Sequence, residues 1–376
     1  MAVFSYAANG ADDTTDRRIP VTVLTGFLGA GKTTLLNAAL SEISAGKVAV
    51  IMNEFGEAGL DHDLIESVED EIVLMQSGCL CCSIRGDLSG TIASLVERRD
   101  DGSLRFERII IETTGLANPS PILQTLLVDP ELARTTRMDG LITVVDAANG
   151  PATLDAQFEA VSQVAMADLI LLSKTDLVTP TAADAFENRL SGLNPTAQIE
   201  RPIDGRFKLE KLWGRSGLRK NIEPKDVIAW TTPDSPPELA PLNNLSSISK
   251  PKLSPLVMSP HDVRISSASI VLDAPLKDVA FDLWLDTLIA LRGPDILRVK
   301  GIVFLEGVET PFVFHGVQHI FDPPVSMKNW NGGDHRSRIV VIARDLNRPE
   351  LQRSLDMLRA HQPEIATKEE VFPNHD

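Results

Sequence analysis

A chain of 376 residues with 36 Lys and Arg against 52 Asp and Glu carries a formal charge of −16, which argues against a broad electrostatic grip on nucleic acid or an anionic membrane. Hydrophobic residues make up 43%, enough for buried cores and too many for a wholly disordered chain. No apolar run reaches the roughly 18 residues of a membrane span, and the opening MAVFSYAANGADDTTDRR lacks the basic cluster and apolar stretch of a secretory signal.

After that polar tail (1–18), IPVTVLTG (19–26) reads as a strand and KTTLLNAALSEI (32–43) as a helix. VAVIMN (48–53) and EIVLMQ (71–76) are strands, DLSGTIASLVERR (87–99) a helix, and RIIIETTG (108–115), GLITVVDA (140–147) and ADLILLSKTD (167–176) further strands. Short apolar strands alternating with helical stretches predict a mostly parallel sheet covered on both faces. The polar residues closing those strands then share one edge, where open α/β sheets bind ligands.

Residues 231–262 are rich in Pro and Ser, aperiodic, and read as a linker. Beyond it SSASIVL (266–272), ILRVKGIVFLEG (296–307), TPFVFHGVQHIF (310–321) and SRIVVIAR (337–344) are strands. LKDVAFDLWLDTLIALRG (276–293) and RPELQRSLDMLRAHQ (348–362) are helices. The expected organisation is a P-loop NTPase domain over 19–230, an α+β domain over 263–365, and a tail over 366–376.

The segment Gly26-Phe27-Leu28-Gly29-Ala30-Gly31-Lys32-Thr33 matches G-x-x-x-x-G-K-[ST] between a strand and a helix. Gly26, Gly29, Ala30 and Gly31 would present backbone N–H groups to phosphate, with Thr34 beside them. Lys32 would reach the β- and γ-phosphates and Thr33 would hold Mg²⁺. In Glu112-Thr113-Thr114-Gly115, Glu112 suits the Mg²⁺ shell and Gly115 a backbone approach to the γ-phosphate. Lys32, Thr33 and Glu112 are the expected catalytic set. In Ser173-Lys174-Thr175-Asp176, the Asp176 carboxylate can accept from both guanine edge donors, which adenine leaves unpaired.

All three cysteines fall in Gly78-Cys79-Leu80-Cys81-Cys82. An odd, clustered set makes a poor disulfide framework and fits thiols kept reduced in the cytoplasm. Three soft ligands within four residues favour zinc, copper(I), or cobalt and nickel with added N or O donors. Glu57 and Asp61, in NEFGEAGLDHD (53–63), would supply oxygen. Inert buried thiols and a redox switch stay open. His315 and His319, four apart on an expected strand, would share one face.

Together GFLGAGKTT (26–34), NEFGEAGLD (53–61), GCLCC (78–82), ETTGLANP (112–119) and the later LRVKG…HGVQH (297–319) resemble the CobW/nitrile-hydratase-activator family of P-loop GTPases. The resemblance implies a GTP-dependent metallochaperone that carries zinc or cobalt on Cys79, Cys81 and Cys82 and transfers it to a client metalloprotein. It allows a homodimer and gives no role to nucleic acid or membrane. Leu116 follows Gly115 where fast GTPases place a water-positioning Gln, so intrinsic turnover is expected to be slow. Readings of other classes are a small-molecule kinase on the same P-loop and a redox-gated nucleotide-binding protein.

Overall fold

The computed structural model of the chain describes residues 16–41, 48–53, 72–76, 84–202, 207–216, 222–232, 264–322, 324–328, 330 and 333–359. Among them, β1 (Ile19–Thr25), β2 (Val48–Asn53), β3 (Ile72–Gln76), β4 (Arg108–Thr113), β5 (Thr136–Asp146), β6 (Leu169–Ser173) and β7 (Gln198–Glu200) form one sheet in the order β3-β2-β4-β1-β5-β6-β7. Every pair in it is parallel. The helices of this unit are α1 (Lys32–Ser41), α2 (Ile84–Asp100), α3 (Ser120–Val128), α4 (Pro130–Thr135), α5 (Gly150–Ala156), α6 (Phe158–Met166), α7 (Pro180–Leu193) and α8 (Pro224–Thr231).

Strands such as RIIIET and LILLS are buried along almost their whole length because helices cover both faces of a parallel sheet. At some helix starts a side chain satisfies the orphan N–H groups. The Asp129 carboxylate accepts from Glu131 N and Leu132 N at the head of α4, and Thr179 Oγ1 accepts from Ala182 N at the head of α7. Two starts differ from the expected ones. Helix α2 begins at Ile84, and β5 begins at Thr136. The added TRMD segment of β5 looks polar because Asp139 sits where the register against β1 shifts, with its carboxylate on Arg108 and Arg137.

The C-terminal unit contains β8 (Ile265–Leu272), α9 (Asp278–Arg292), β9 (Ile296–Val303), β10 (Phe312–Val317), β11 (Ile320–Phe321), β12 (Val325–Ser326), β13 (Ser337–Arg344) and α10 (Arg348–Arg359). Its antiparallel sheet runs β11-β10-β9-β13-β8, with β12 also on β10. Helix α9 buries Phe281, Trp284, Leu285 and Leu288, and α10 buries Leu351, Leu355 and Leu358. These are the i, i+3, i+4, i+7 stripes that an amphipathic helix lays on a sheet.

The expected single strand over 310–321 is instead a hairpin, because Gln318 takes a left-handed conformation (φ +56°) and returns the chain antiparallel. His315 and His319 therefore do not share a strand face. His315 is buried with Nδ1 3.1 Å from Asp322 Oδ2, while His319 is exposed. Thr231, expected to open the linker, closes α8, and 233–262 lie outside the described residues. No helix of the described residues is long and apolar enough to cross a membrane.

The two units meet over buried charge. β9 is buried on both faces, with Val299 and Val303 toward α9 and α10 and Arg298 and Lys300 toward the first unit. Asp168, just before β6, takes Arg298 Nη2 at 2.5 Å, Lys300 Nζ at 3.0 Å and Trp230 Nε1 at 3.1 Å, and accepts from Leu141 N at 3.0 Å. Burial would raise the Asp168 pKa, but the two cations overcome it and hold the carboxyl far below its ordinary range. Lys300 is pushed down to about 8, chiefly by burial, with Asp168 opposing that shift.

Removing one partner of a buried ion pair leaves an uncompensated charge, so Asp168→Asn should lower unfolding free energy by about 3–5 kcal/mol in a denaturant titration. Lys300 gives a sign-definite pH dependence. Its folded pKa near 8 lies below the ordinary 10.5, so the unfolded chain binds more protons between those values and stability gains from this group as pH rises through that window. Lys300→Met should flatten that part of the stability profile. An unchanged slope would contradict the placement.

Candidate functional site

The site is built on the carboxyl ends of β1, β4, β5 and β6. Between β1 and α1 the chain must bend back while bringing several N–H groups to one point. Gly29 (φ +72°) and Gly31 (φ +95°) occupy conformations that side chains rarely adopt. The peptide oxygens of this loop are held by side chains. Lys32 Nζ donates to the Gly26 carbonyl at 2.9 Å and the Phe27 carbonyl at 3.4 Å. Lys174 Nζ donates to the Gly29 carbonyl at 2.7 Å, and Ser173 Oγ donates to the Ala30 carbonyl at 2.7 Å. These bonds to the Gly26, Phe27, Gly29 and Ala30 carbonyls, with Ala30 N–H donating to the Phe27 carbonyl at 3.2 Å, set the shape of a glycine-rich loop at a helix start, an arrangement suited to phosphate.

Lys32 is buried at 9% exposure and Thr34 is exposed. Thr33 Oγ1, in the first turn of α1, donates to Glu112 Oε1 on β4 at 2.7 Å. A hydroxyl and a carboxylate converging at the head of α1 form a hard oxygen pair, and the donor set fits Mg²⁺. Next to them Thr113 Oγ1 donates to Thr25 Oγ1 at 2.8 Å. Gly115 is packed so tightly on the P-loop that a Cβ there would lie 2.4 Å from Leu28 N. The loop after β4 therefore lies directly against the phosphate loop.

At the end of β6, Lys174 adopts a left-handed backbone (φ +55°, ψ +32°). Its ammonium bridges the Gly29 carbonyl and Asp146 Oδ2, the latter at 2.8 Å. Asp146 also accepts from Ala148 N, Asn149 N and Asn149 Nδ2. Burial alone would raise the pKa of Asp146, yet Lys174 and Asn149 hold it below its usual value. Asp176 stands exposed on the short turn Thr175–Leu177 that follows, at the rim where a base would approach. Asp146 ends a strand recognised in the sequence, and the rule that polar strand ends face the ligand would have singled it out.

The structure brings Gly26, Gly29, Ala30, Gly31, Lys32, Thr33, Glu112, Gly115, Ser173 and Lys174 together, with Asp146 among them. Glu57, Asp61, Cys79, Cys81 and Cys82 lie outside the described residues. Among the described residues no group of three or more His, Cys, Asp or Glu could hold a metal ion.

Residues 20–201 match the family model of the CobW/HypB/UreG nucleotide-binding domain, and residues 265–359 that of the cobalamin synthesis protein cobW C-terminal domain. The zinc chaperone YjiA of Escherichia coli is 32% identical over 341 residues, covering 91% of this chain and 99% of that protein. The zinc-regulated GTPase metalloprotein activator 1 of Schizosaccharomyces pombe is 36% identical over 202 residues, 52% of this chain and 48% of its own length. A crystal structure of zinc-bound YjiA GTPase from Escherichia coli aligns over 92% of this chain and all of that one, at a TM-score of 0.67 and 28% identity. The chain belongs to the CobW/HypB/UreG family and carries the CobW C-terminal domain.

Asp146→Ala should free Lys174 from its carboxylate and loosen both the turn Thr175–Leu177 and the Gly29 carbonyl. Charge-assisted hydrogen bonds are worth about 1.5–3 kcal/mol, so GDP should bind roughly tenfold or more weakly. Fluorescent GDP titration of the purified variant reads this directly, and an unchanged Kd would contradict the assigned role.

Proposed function

We propose that this member of the CobW family is a GTP-driven carrier of a thiophilic metal ion, zinc foremost, which it hands to a client protein. The chain is a GTPase, as its nucleotide-binding domain and its GTPase relatives indicate. One observation carries the metal part of the reading. Strand β2 pairs with β4 and β3 with β2 at the phosphate edge, with Asn53 level with Thr113, and Met52 level with both Glu112 and Gln76.

The segment bearing Glu57 starts from the end of β2, and the one bearing the cysteines starts from the end of β3. In the sequence Cys79 follows Gln76 by three residues and Glu57 follows Asn53 by four, and a chain advances at most about 3.5 Å per residue. Neighbouring strands lie about 4.8 Å apart. The described ends of β2 and β3, from which the sequence runs on into both candidate metal segments, therefore lie at the edge that carries Glu112. Two thiolates with a carboxylate form a donor set suited to tetrahedral zinc, with cobalt(II) able to use the same ligands.

In this reading Lys32 leaves the Gly26 and Phe27 carbonyls for the β- and γ-phosphate oxygens, and Ser173, Lys174 and Asp176 hold the guanine end. Thr33 and Glu112 would hold Mg²⁺, which supplies charge neutralisation on the phosphates. Leu28 and Leu116, both exposed, border the terminal phosphate with apolar side chains that cannot orient water. Hydrolysis by the isolated chain is accordingly slow, and metal or client binding raises it.

The test is an anaerobic, reducing titration of the chain and of its Cys81→Ser/Cys82→Ser variant with zinc, read alongside steady-state GTP hydrolysis. The proposal predicts one tight zinc site in the native chain, lost in the variant, and a zinc-dependent rate in the native chain only. Equal zinc affinity in both would contradict it. A rate that responds to peroxide and ignores chelator would give the cysteines a redox role instead.

A further inference from the structure

The loop Gly115–Ala117 that faces the phosphate edge is held from behind by one side chain. Gln163, on α6, has no solvent exposure. Its Nε2 donates to the Gly115 carbonyl at 3.2 Å and the Ala117 carbonyl at 2.9 Å. Its own main-chain carbonyl accepts from Thr143 Oγ1 at 2.8 Å, which ties the same residue to β5. Its Oε1 is buried without a hydrogen-bond partner among the described residues. A buried amide satisfied on one side only is less stable than an apolar side chain of its size. Packing therefore does not explain glutamine at this position, and the two donated bonds do.

Those bonds fix a peptide orientation. Peptide units are planar and trans, so seating the Gly115 carbonyl against Gln163 turns the Leu116 N–H to the opposite side of that unit. In front, Gly115 is pressed against Leu28 of the P-loop. The loop is clamped between the P-loop and α6.

The two helices that flank it both touch the C-terminal domain. Met166, the last residue of α6, accepts at its carbonyl from Arg298 Nη1 of β9, and its sulfur accepts from Ser120 Oγ at 3.3 Å. Helix α3, which starts at Ser120 just after the loop, sends Gln124 Nε2 to Gln318 Oε1 at 2.5 Å on the left-handed turn between β10 and β11.

We propose that Gln163 is the positioning residue through which the loop facing the terminal phosphate is linked to the C-terminal domain, so that GTP-bound and GDP-bound chains hold β9 with different firmness. The inference rests on the reading of the P-loop as a GTP site. A ligand shifts a conformational equilibrium only by its differential contacts, and the γ-phosphate is the contact that GDP lacks.

Gln163→Met keeps side-chain length and apolar volume and removes the donor. In the full chain it should lower kcat for GTP by about tenfold or more, the scale expected when a positioning group is lost, while the Kd for GDP stays at its native value. A purely structural role would instead weaken GDP binding in step with stability. Native kcat and a native GTP-to-GDP affinity ratio in the variant would overturn the proposal. Hydrogen exchange on the unmodified chain gives a second test that needs no variant. With Mg²⁺ and a non-hydrolysable GTP analogue, amides of 158–166 and 296–303 should exchange more slowly than with Mg²⁺-GDP. Equal exchange with both nucleotides bound would overturn the proposal, whereas failure of either nucleotide to bind would overturn the GTP-site reading and this inference with it.

Discussion

The Lys174 ammonium joins three parts of the molecule at one point. It is bonded to the Gly29 carbonyl of the P-loop and to the Asp146 carboxylate at the end of β5, and it stands at the start of the Lys174–Leu177 turn after β6. Asp146 can serve as its counter-ion because two backbone N–H groups and the Asn149 amide hold that carboxylate in place. With Ser173 on the Ala30 carbonyl and Lys32 on the Gly26 carbonyl, the phosphate loop is shaped before any anion arrives. Preorganisation of this kind removes the ordering penalty from the binding step. A glycine-rich loop could not supply it alone, since glycine loses the most conformational freedom on being fixed.

The same strand, β6, that leads into the Lys174 turn carries the contact between domains at its other end. Asp168 precedes β6 and neutralises Arg298 and Lys300, and Lys300 also lies 4.9 Å from the Trp230 ring. Burying charge at such a junction brings no great stability compared with apolar packing, but losing one partner would leave the other charge buried and uncompensated. The pairing fixes how β9 sits against the end of α6. A parallel sheet whose two ends serve two different partners gives nucleotide and C-terminal domain a common scaffold, and the loop held by Gln163 lies between them.

Much of this was legible in the sequence, for reasons that differ by residue. The P-loop, Glu112 and the Ser173–Asp176 loop follow strands made recognisable by apolar runs, and the parallel sheet places their ends on one edge. The C-terminal helices showed their stripes as plainly. Arg298 and Lys300 did not reveal their role, because a strand with alternating charges reads as half-exposed until a second domain covers it. Gln163 gave no signal either, since a glutamine in a helix usually faces water. The hairpin at Gln318 was missed because HGVQH contains no turn dipeptide, and only the left-handed backbone at Gln318 breaks the strand. The family resemblance, by contrast, rested on short motifs and was matched by both domains.

The central claim is that the phosphate site and the cysteine segment form one thermodynamic unit. If they do, linkage requires the factor by which GTP changes zinc affinity to equal the factor by which zinc changes GTP affinity. The direct measurement is zinc affinity by competition with a chromophoric chelator, in the presence of Mg²⁺ with a non-hydrolysable GTP analogue and, separately, Mg²⁺-GDP. Analogue and GDP affinities would be measured with and without zinc. The account predicts tighter zinc binding with the analogue and the same ratio in the reciprocal titration. Zinc affinity that is indifferent to the nucleotide would contradict it.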